Sequence, residues 1–282
     1  MQAKVHLILL VAVATVMAQG GPVLKHFTQI GNGFYHLRGT FRLGYAYNIG
    51  THMALARLQD GKYCVLDAMN VSAEQKADID AITENGNLID SVILTHPFHT
   101  GAIAKFYDLY PQAKYYGCPR HLRMLPDIPW AGDFSNPETL QHWEERGLSL
   151  RYPDGAEFVN PKPELYNHFS NVFVYHKESK TVFNDDTITK WTGSFLYKKG
   201  LGFHPTLTTV GLYPTVDAPL QFKQWMKKML DDWDFENLCT AHNDNVIGGA
   251  HQAVGDLLQS VDKVLDDLSA RNGAKRKSSH FE

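Results

Sequence analysis

The stretch "LIDSVILTHPFHTGAIAKFYDLYPQAKYYG", residues 88–117, decides how the chain is read. Its apolar run Val92-Ile93-Leu94 ends abruptly in Thr95-His96-Pro97-Phe98-His99. "GAIAKFYDLY" follows as a helix, with Thr100 expected as its N-cap and Pro111 as its stop. "AKYYGCP" is then a second strand, so the stretch forms a β-α-β unit with a right-handed crossover around a strand buried on both faces. Its two histidines stand at the carboxyl end of that strand, where α/β proteins place ligands and catalytic groups.

Upstream, "GFYHLRGTFRLGYAYNIGTHMALARLQDGKYCVLDAM" reads as three or four strands with a hairpin at Gln59-Asp60-Gly61. "SAEQKADIDAITENG" is a helix with Ser72 at its N-cap and Gly86 near its end. Downstream, the prolines and glycines of residues 120–145 suggest a loop-rich connection, placed as a lid. "HFSNVFVYHKESKTVFNDDTI" is two strands joined at "KESK", and "KWTGSFLYKKGLGFHPTLTT" is irregular. "DAPLQFKQWMKKMLDDW" is a helix with an apolar stripe at Leu220, Phe222, Trp225, Met226 and Met229. A short strand, "FENLCTAHND", and a helix, "AHQAVGDLLQSVDKVLDDLSA", complete the order. One domain with two sheets between layers of helices suits it, over residues 22–270, with a disordered polar tail at 271–282.

The chain has 282 residues, 44% apolar and 20% charged, an ordinary globular composition. Its formal net charge of −3 gives no electrostatic case for nucleic acid or an acidic membrane surface. An apolar run from Val5 to Met17 follows Lys4, and Val16 and Ala18 fit a signal-peptidase site. The run is shorter than the roughly 20 residues of a spanning helix, so residues 1–18 are expected to be a cleaved leader and the protein to be secreted. Cys64, Cys118 and Cys239 fall in or beside strands as small buried hydrophobes, or as one disulfide and a free thiol. Asn70-Val71-Ser72 is a glycosylation sequon. His204, in "GFHPT", reads as turn chemistry, and Trp130, Trp191, Trp225 and Trp233 as packing. There is no phosphate-binding loop of the Walker type and no Gly-x-Ser-x-Gly elbow.

Polar clusters gather where strands end or begin: His96 with His99, His168, Asp185 with Asp186, and His242 in "TAHND". Imidazole and carboxylate converging on one edge is how a fold assembles a Zn or Fe site. From about residue 30 to 266 the chain resembles the metallo-β-lactamase-like fold family, an αββα sandwich of two mixed sheets. That family's first motif reads Thr-His-x-His-x-Asp-His; "THPFHTG" keeps Thr95 and His96, with Phe98, Thr100 and Gly101 in place of its second histidine, aspartate and third histidine. His168 resembles the histidine before the family's hairpin, Asp186 its bridging aspartate, and His242 its final histidine. Phe98-His99 and Tyr110-Pro111-x-Ala113 resemble more closely a branch whose "aFH" turn, helix and "YP-A" boundary replace the metal motif.

With the leader, the resemblance implies a secreted metal-dependent hydrolase of a small molecule, an ester, amide, thioester or phosphodiester. One Zn or Fe ion would be held by His96, His168, Asp186 and His242, with His99 and Asp185 in catalytic roles and His99 open to being a fifth ligand. The departures remove three ligands of a two-metal site. They leave a second reading open, a non-catalytic extracellular binding or matrix protein on this fold with no metal.

Overall fold

Val92, Ile93 and Leu94 have none of their surface exposed in the computed structural model, which describes residues 24–43, 47–164, 166–193 and 199–278. The expected leader, residues 1–18, lies outside the described residues. Val92 and Ile93 close the strand Ile89–Ile93, with Leu94 just past its end, and that strand sits between two parallel neighbours, Tyr63–Leu66 and Lys114–Gly117. It is central to a seven-stranded sheet that runs from Phe27–Gly31 through Phe34–Gly39, Thr51–Arg57 and Tyr63–Leu66, then on to Lys114–Gly117 and Trp130–Asp133. The first four strands are antiparallel, with the turn at Gly61 closing the expected hairpin. The crossover helix is Ile103–Leu109.

A second sheet takes Leu148–Arg151, Phe173–His176, Thr181–Phe183, Asn237–Cys239 and Val246–Ile247 in that order. Only its Thr181–Phe183 and Asn237–Cys239 pair is parallel. Three apolar layers hold the sandwich. Leu55, Val65, Val92, Ile103 and Phe106 pack the first sheet on its helices. Phe34, Leu66, Ile93, Trp143, Val174 and Phe183 fill the space between the sheets. Phe173, Val182, Phe222, Met226, Val254 and Leu265 join the second sheet to the helices Ala218–Asp232, Ala250–Ser260 and Asp262–Ser278. This is the αββα sandwich with two mixed sheets. No described helix is long and apolar enough to cross a membrane. The three cysteines are free and buried, all in the layer between the sheets.

Several local expectations need correction. The crossover helix starts at Ile103 with Ala102 as its cap, because Thr100 is spent in a tight turn where its N–H donates to the Phe98 carbonyl at 2.9 Å. Residues 120–145 are not a lid: Pro119 and Pro137 open short helices, and Trp130–Asp133 adds a parallel edge strand. The stretch read as irregular contains the hairpin Ile188–Trp191 with Gly200–Phe203, too rich in glycine to show a strand pattern. Leu220 is exposed, while the rest of its stripe is buried. The final helix runs to Ser278, past the point where the polar tail was placed.

The first sheet's outer edge is fastened to the helix Ala73–Thr83 by Asp78. Asp78 Oδ2 accepts from the Lys25 and His26 amides at 3.0 and 2.8 Å, and lies 3.1 Å from the His26 ring. Burial alone would raise the Asp78 pKa, but these hydrogen bonds outweigh it and hold it below the ordinary carboxylate value. The stabilisation is therefore present above the unfolded-state pKa of about 3.9 and disappears as pH falls through the lowered folded value. Asp78→Ala is expected to cost about 1–2 kcal/mol in urea unfolding at neutral pH, and markedly less near pH 3.

Candidate metal centre

Four strand ends meet where the two sheets adjoin. Asp67 follows Tyr63–Leu66, His96 and His99 follow Ile89–Ile93, Asp185 and Asp186 follow Thr181–Phe183, and His242 follows Asn237–Cys239. The sheets are tied at this point by the Val172 N–H, which donates to the Thr95 carbonyl at 2.8 Å. His168 arrives on the segment before Phe173–His176.

Asp186 is the hub. Its Oδ2 lies 3.5 Å from His99 Nε2, 3.5 Å from His168 Nδ1 and 3.6 Å from His96 Nε2, and its Oδ1 lies 3.6 Å from His242 Nε2. These separations are too long for good hydrogen bonds. They are close to the ~3.3 Å edge of a tetrahedron of nitrogen and oxygen ligands around an ion at about 2.0–2.1 Å. The donor atoms of His96, His99, His168 and Asp186 all fall within 4.8 Å of one another. The cluster can hold a metal ion.

The far side of each ring shows which nitrogens have a lone pair to offer. His99 Nδ1 donates to Asp67 Oδ2 at 3.3 Å and stands 3.1 Å from Asp185 Oδ1, so a neutral His99 keeps its proton there and turns a bare Nε2 to Asp186. His242 Nδ1 donates to the Gly50 carbonyl at 2.6 Å, which likewise leaves Nε2 bare. Gly50 holds a left-handed φ of 76°, a conformation strained for any residue with a side chain, and the Arg38 guanidinium lies against it. Backing of the far nitrogen by a carboxylate or carbonyl is the usual support for a metal-ligating imidazole. His96 is arranged the other way. Its Nδ1 accepts the Phe98 N–H at 3.1 Å, so its proton sits on Nε2, facing the His168 carbonyl at 3.4 Å and Asp186. Ligation through that nitrogen would require the proton to move to Nδ1, at the cost of the hydrogen bond from the Phe98 N–H.

The charges follow the same geometry. Burial opposes a cation on His99, but Asp185, Asp186 and Asp67 overcome it and raise its pKa well above the ordinary value. Burial and the neighbouring His99 push His96 down to about 3. Burial and Asp185 push Asp67 up to about 7. For Asp185, burial works against ionisation, yet His99 and His96 prevail and lower it to about 2. Asp67 has a φ of 61° and Asn243, beside His242, one of 64°, a conformation that costs energy in residues other than glycine and tends to collect at working sites.

A cavity of about 940 Å³ opens onto this cluster, bordered by His99, His168, Asp186 and His242 and walled mainly by apolar side chains. His204 also borders it, while its Nδ1 holds the turn at Thr206 as expected of "GFHPT". The sequon residue Asn70 is exposed on the rim.

Among solved structures, the metallo-β-lactamase from Hirschia baltica superposes on 83% of this chain and 97% of its own, with a TM-score of 0.54 and 14% identity. The chain has the metallo-β-lactamase fold. The metallo-β-lactamase from Erythrobacter litoralis matches over 83% of this chain and 96% of its own at 16% identity and a TM-score of 0.54. That from Pontibacter korlensis covers 83% and 98% at 11% identity and 0.52. No family model and no curated protein matches the sequence.

On this metallo-β-lactamase fold the six sequence-derived site residues come together. His99, expected in a catalytic role or as a fifth ligand, stands among the clustered donor atoms. Asp185 is fully buried, accepts from Thr95 Oγ1 at 2.8 Å and does not border the cavity, so it orients His99 and does not face substrate. His96 is buried in the cluster as a proton donor. Sequence reasoning missed Asp67, although "YCVLDA" is an apolar strand ending in an acid, the signal that revealed Asp186. In ¹⁵N spectra of histidine-labelled protein, His96 is expected as the neutral Nε2–H tautomer from pH 5 to 8, roughly two or more units above its lowered pKa. An Nδ1–H or cationic signal for His96 would show its geometry to be otherwise.

Proposed function

We propose that this protein is a metal-dependent hydrolase that holds a single zinc or iron ion through His99, His168, His242 and Asp186. The observation that carries the reading is the set of imidazole nitrogens gathered 3.5–3.6 Å from one buried carboxylate, two of them with the far nitrogen already backed by an acceptor. A bound ion would supply acidified water and polarisation of a scissile carbonyl. The chain's own residues set the stage for it. Asp67 and Asp185 fix the plane and proton of His99, and the Gly50 carbonyl fixes those of His242. His96 presents its Nε2–H towards Asp186, countering the negative charge of a carboxylate that is 6% exposed. The walls around the cluster are mainly apolar.

Export is part of the proposal, supported by the apolar run from Val5 to Met17 and the small residues after it. Three inaccessible thiols are compatible with an oxidising compartment. Sequencing the N-terminus of protein recovered from culture medium is expected to begin at Gln19.

Elemental analysis of the untagged chain is expected to return close to one zinc or iron. His99→Ala, His242→Ala and Asp186→Asn should lower metal affinity by about tenfold or more. His96→Asn should keep the ion, because its Oδ1 can take the Phe98 N–H in place of Nδ1. A wild-type chain that takes up no metal after reconstitution would sink this reading and turn the site into one for binding alone.

A further inference from the structure

We infer that the cavity selects a neutral ligand with an aromatic or branched apolar body and rejects one carrying a carboxylate or phosphate. This deepens the hydrolase reading and rests on it for the reaction, though not for the binding.

At about 940 Å³ the space suits a drug-sized molecule. Its walls include Phe41, Tyr47, Ile49, Met69, Phe98 and Trp191. Two of these rings lie against candidate ligands: Phe98 stacks on His168 at 4.7 Å and 19°, and Phe41 on His242 at 5.6 Å and 24°. A flat apolar body entering between them would be guided by ring faces right up to the Asp186 cluster.

The charges decide the rest. Among the described residues no lysine or arginine borders the cavity. Two arginines near it lie behind its wall. Arg120 lies over the Phe98 ring at 4.7 Å, donates to the Pro97 carbonyl at 3.1 Å and reaches Glu164 at 3.8 Å. Arg38 packs against Gly50. One buried carboxylate, Asp186, borders the cavity, and Asp67 and Asp185 are buried behind His99. An anionic group brought inside would lose its hydration, and the His99 imidazole at the cavity is already matched by Asp185, Asp186 and Asp67. The remaining polar groups, such as the side chains of Thr51, Thr189 and Asn243, suit neutral carbonyl and hydroxyl groups.

The test uses a matched pair of anilides, N-phenylbutanamide and its carboxylate counterpart N-phenylsuccinamate, titrated by tryptophan fluorescence into the full chain after chelation. Chelation removes any ion that would itself attract the carboxylate. The neutral anilide is expected to bind at least about tenfold more tightly. Phe41→Arg places a cation on the rim at a half-exposed position that tolerates it, and should bring the two affinities close together. Equal or tighter binding of the carboxylate to the chelated wild type would overturn the inference, as would no saturable binding of either anilide in the millimolar range. In parallel, the metal-loaded chain is assayed with 4-nitrophenyl butyrate and 4-nitrophenyl hydrogen succinate. A preference for the neutral ester supports the inference. Neutral-selective anilide binding without turnover of either ester supports it too, while overturning the hydrolase reading alone.

Discussion

A carboxylate buried at the junction of two sheets is a heavy electrostatic cost unless positive charge or hydrogen-bond donors surround it. Asp186 is such a group, with four imidazoles around it. The four imidazoles come from three segments set by different parts of the fold: His96 and His99 from the end of Ile89–Ile93 in the first sheet, His168 from the entry to the second, and His242 from the end of the strand parallel to Thr181–Phe183. Assembling the sandwich therefore assembles the cluster. Misplacing a strand end would leave Asp186 ionised with too few partners, so the register of the sheets and the geometry of the site are mutually dependent.

The turn at Pro97-Phe98 shows how a small backbone feature redistributes chemistry. It closes with the His99 N–H donating to the His96 carbonyl at 3.1 Å, which carries His99 back over His96 until their ring centroids are 4.3 Å apart. The same turn aims the Phe98 amide at His96 Nδ1 and so determines which nitrogen of His96 holds the proton. Arg120 clamps the turn from outside through the Pro97 carbonyl and the Phe98 ring. One tight turn thereby gives two neighbouring histidines different hydrogen-bond partners on their Nδ1 atoms.

The αββα architecture was readable because its central strand is apolar on both faces and because strands at 92–94, 182–183 and 238–239 stop abruptly at histidine or aspartate. The division of labour within the site was not. His96 and His99 are the same residue type three positions apart across Pro97-Phe98, and only the direction of a backbone N–H sets the proton of one apart from that of the other. Asp67 lies outside any motif spacing and joins the site through parallel pairing of its strand with Ile89–Ile93. The prolines of residues 120–145 suggested loop, yet proline is equally at home at the first position of a helix, where Pro119 and Pro137 stand. Glycine in "KKGLGF" hid a strand, since it contributes no side chain to an alternating pattern.

Cys64, Cys118 and Cys239 have no surface exposed, and all three lie in the layer shared by the two sheets. A thiol there meets a reagent only when the sheets part, whatever the state of the helices outside. Burial also pushes Cys64 up to about 12, so even a fleeting opening presents it first as the unreactive thiol. The molecule thus has an internal clock for the separation of its halves: the pace at which these sulfurs become modifiable records how often the interface that supports the Asp186 cluster comes apart.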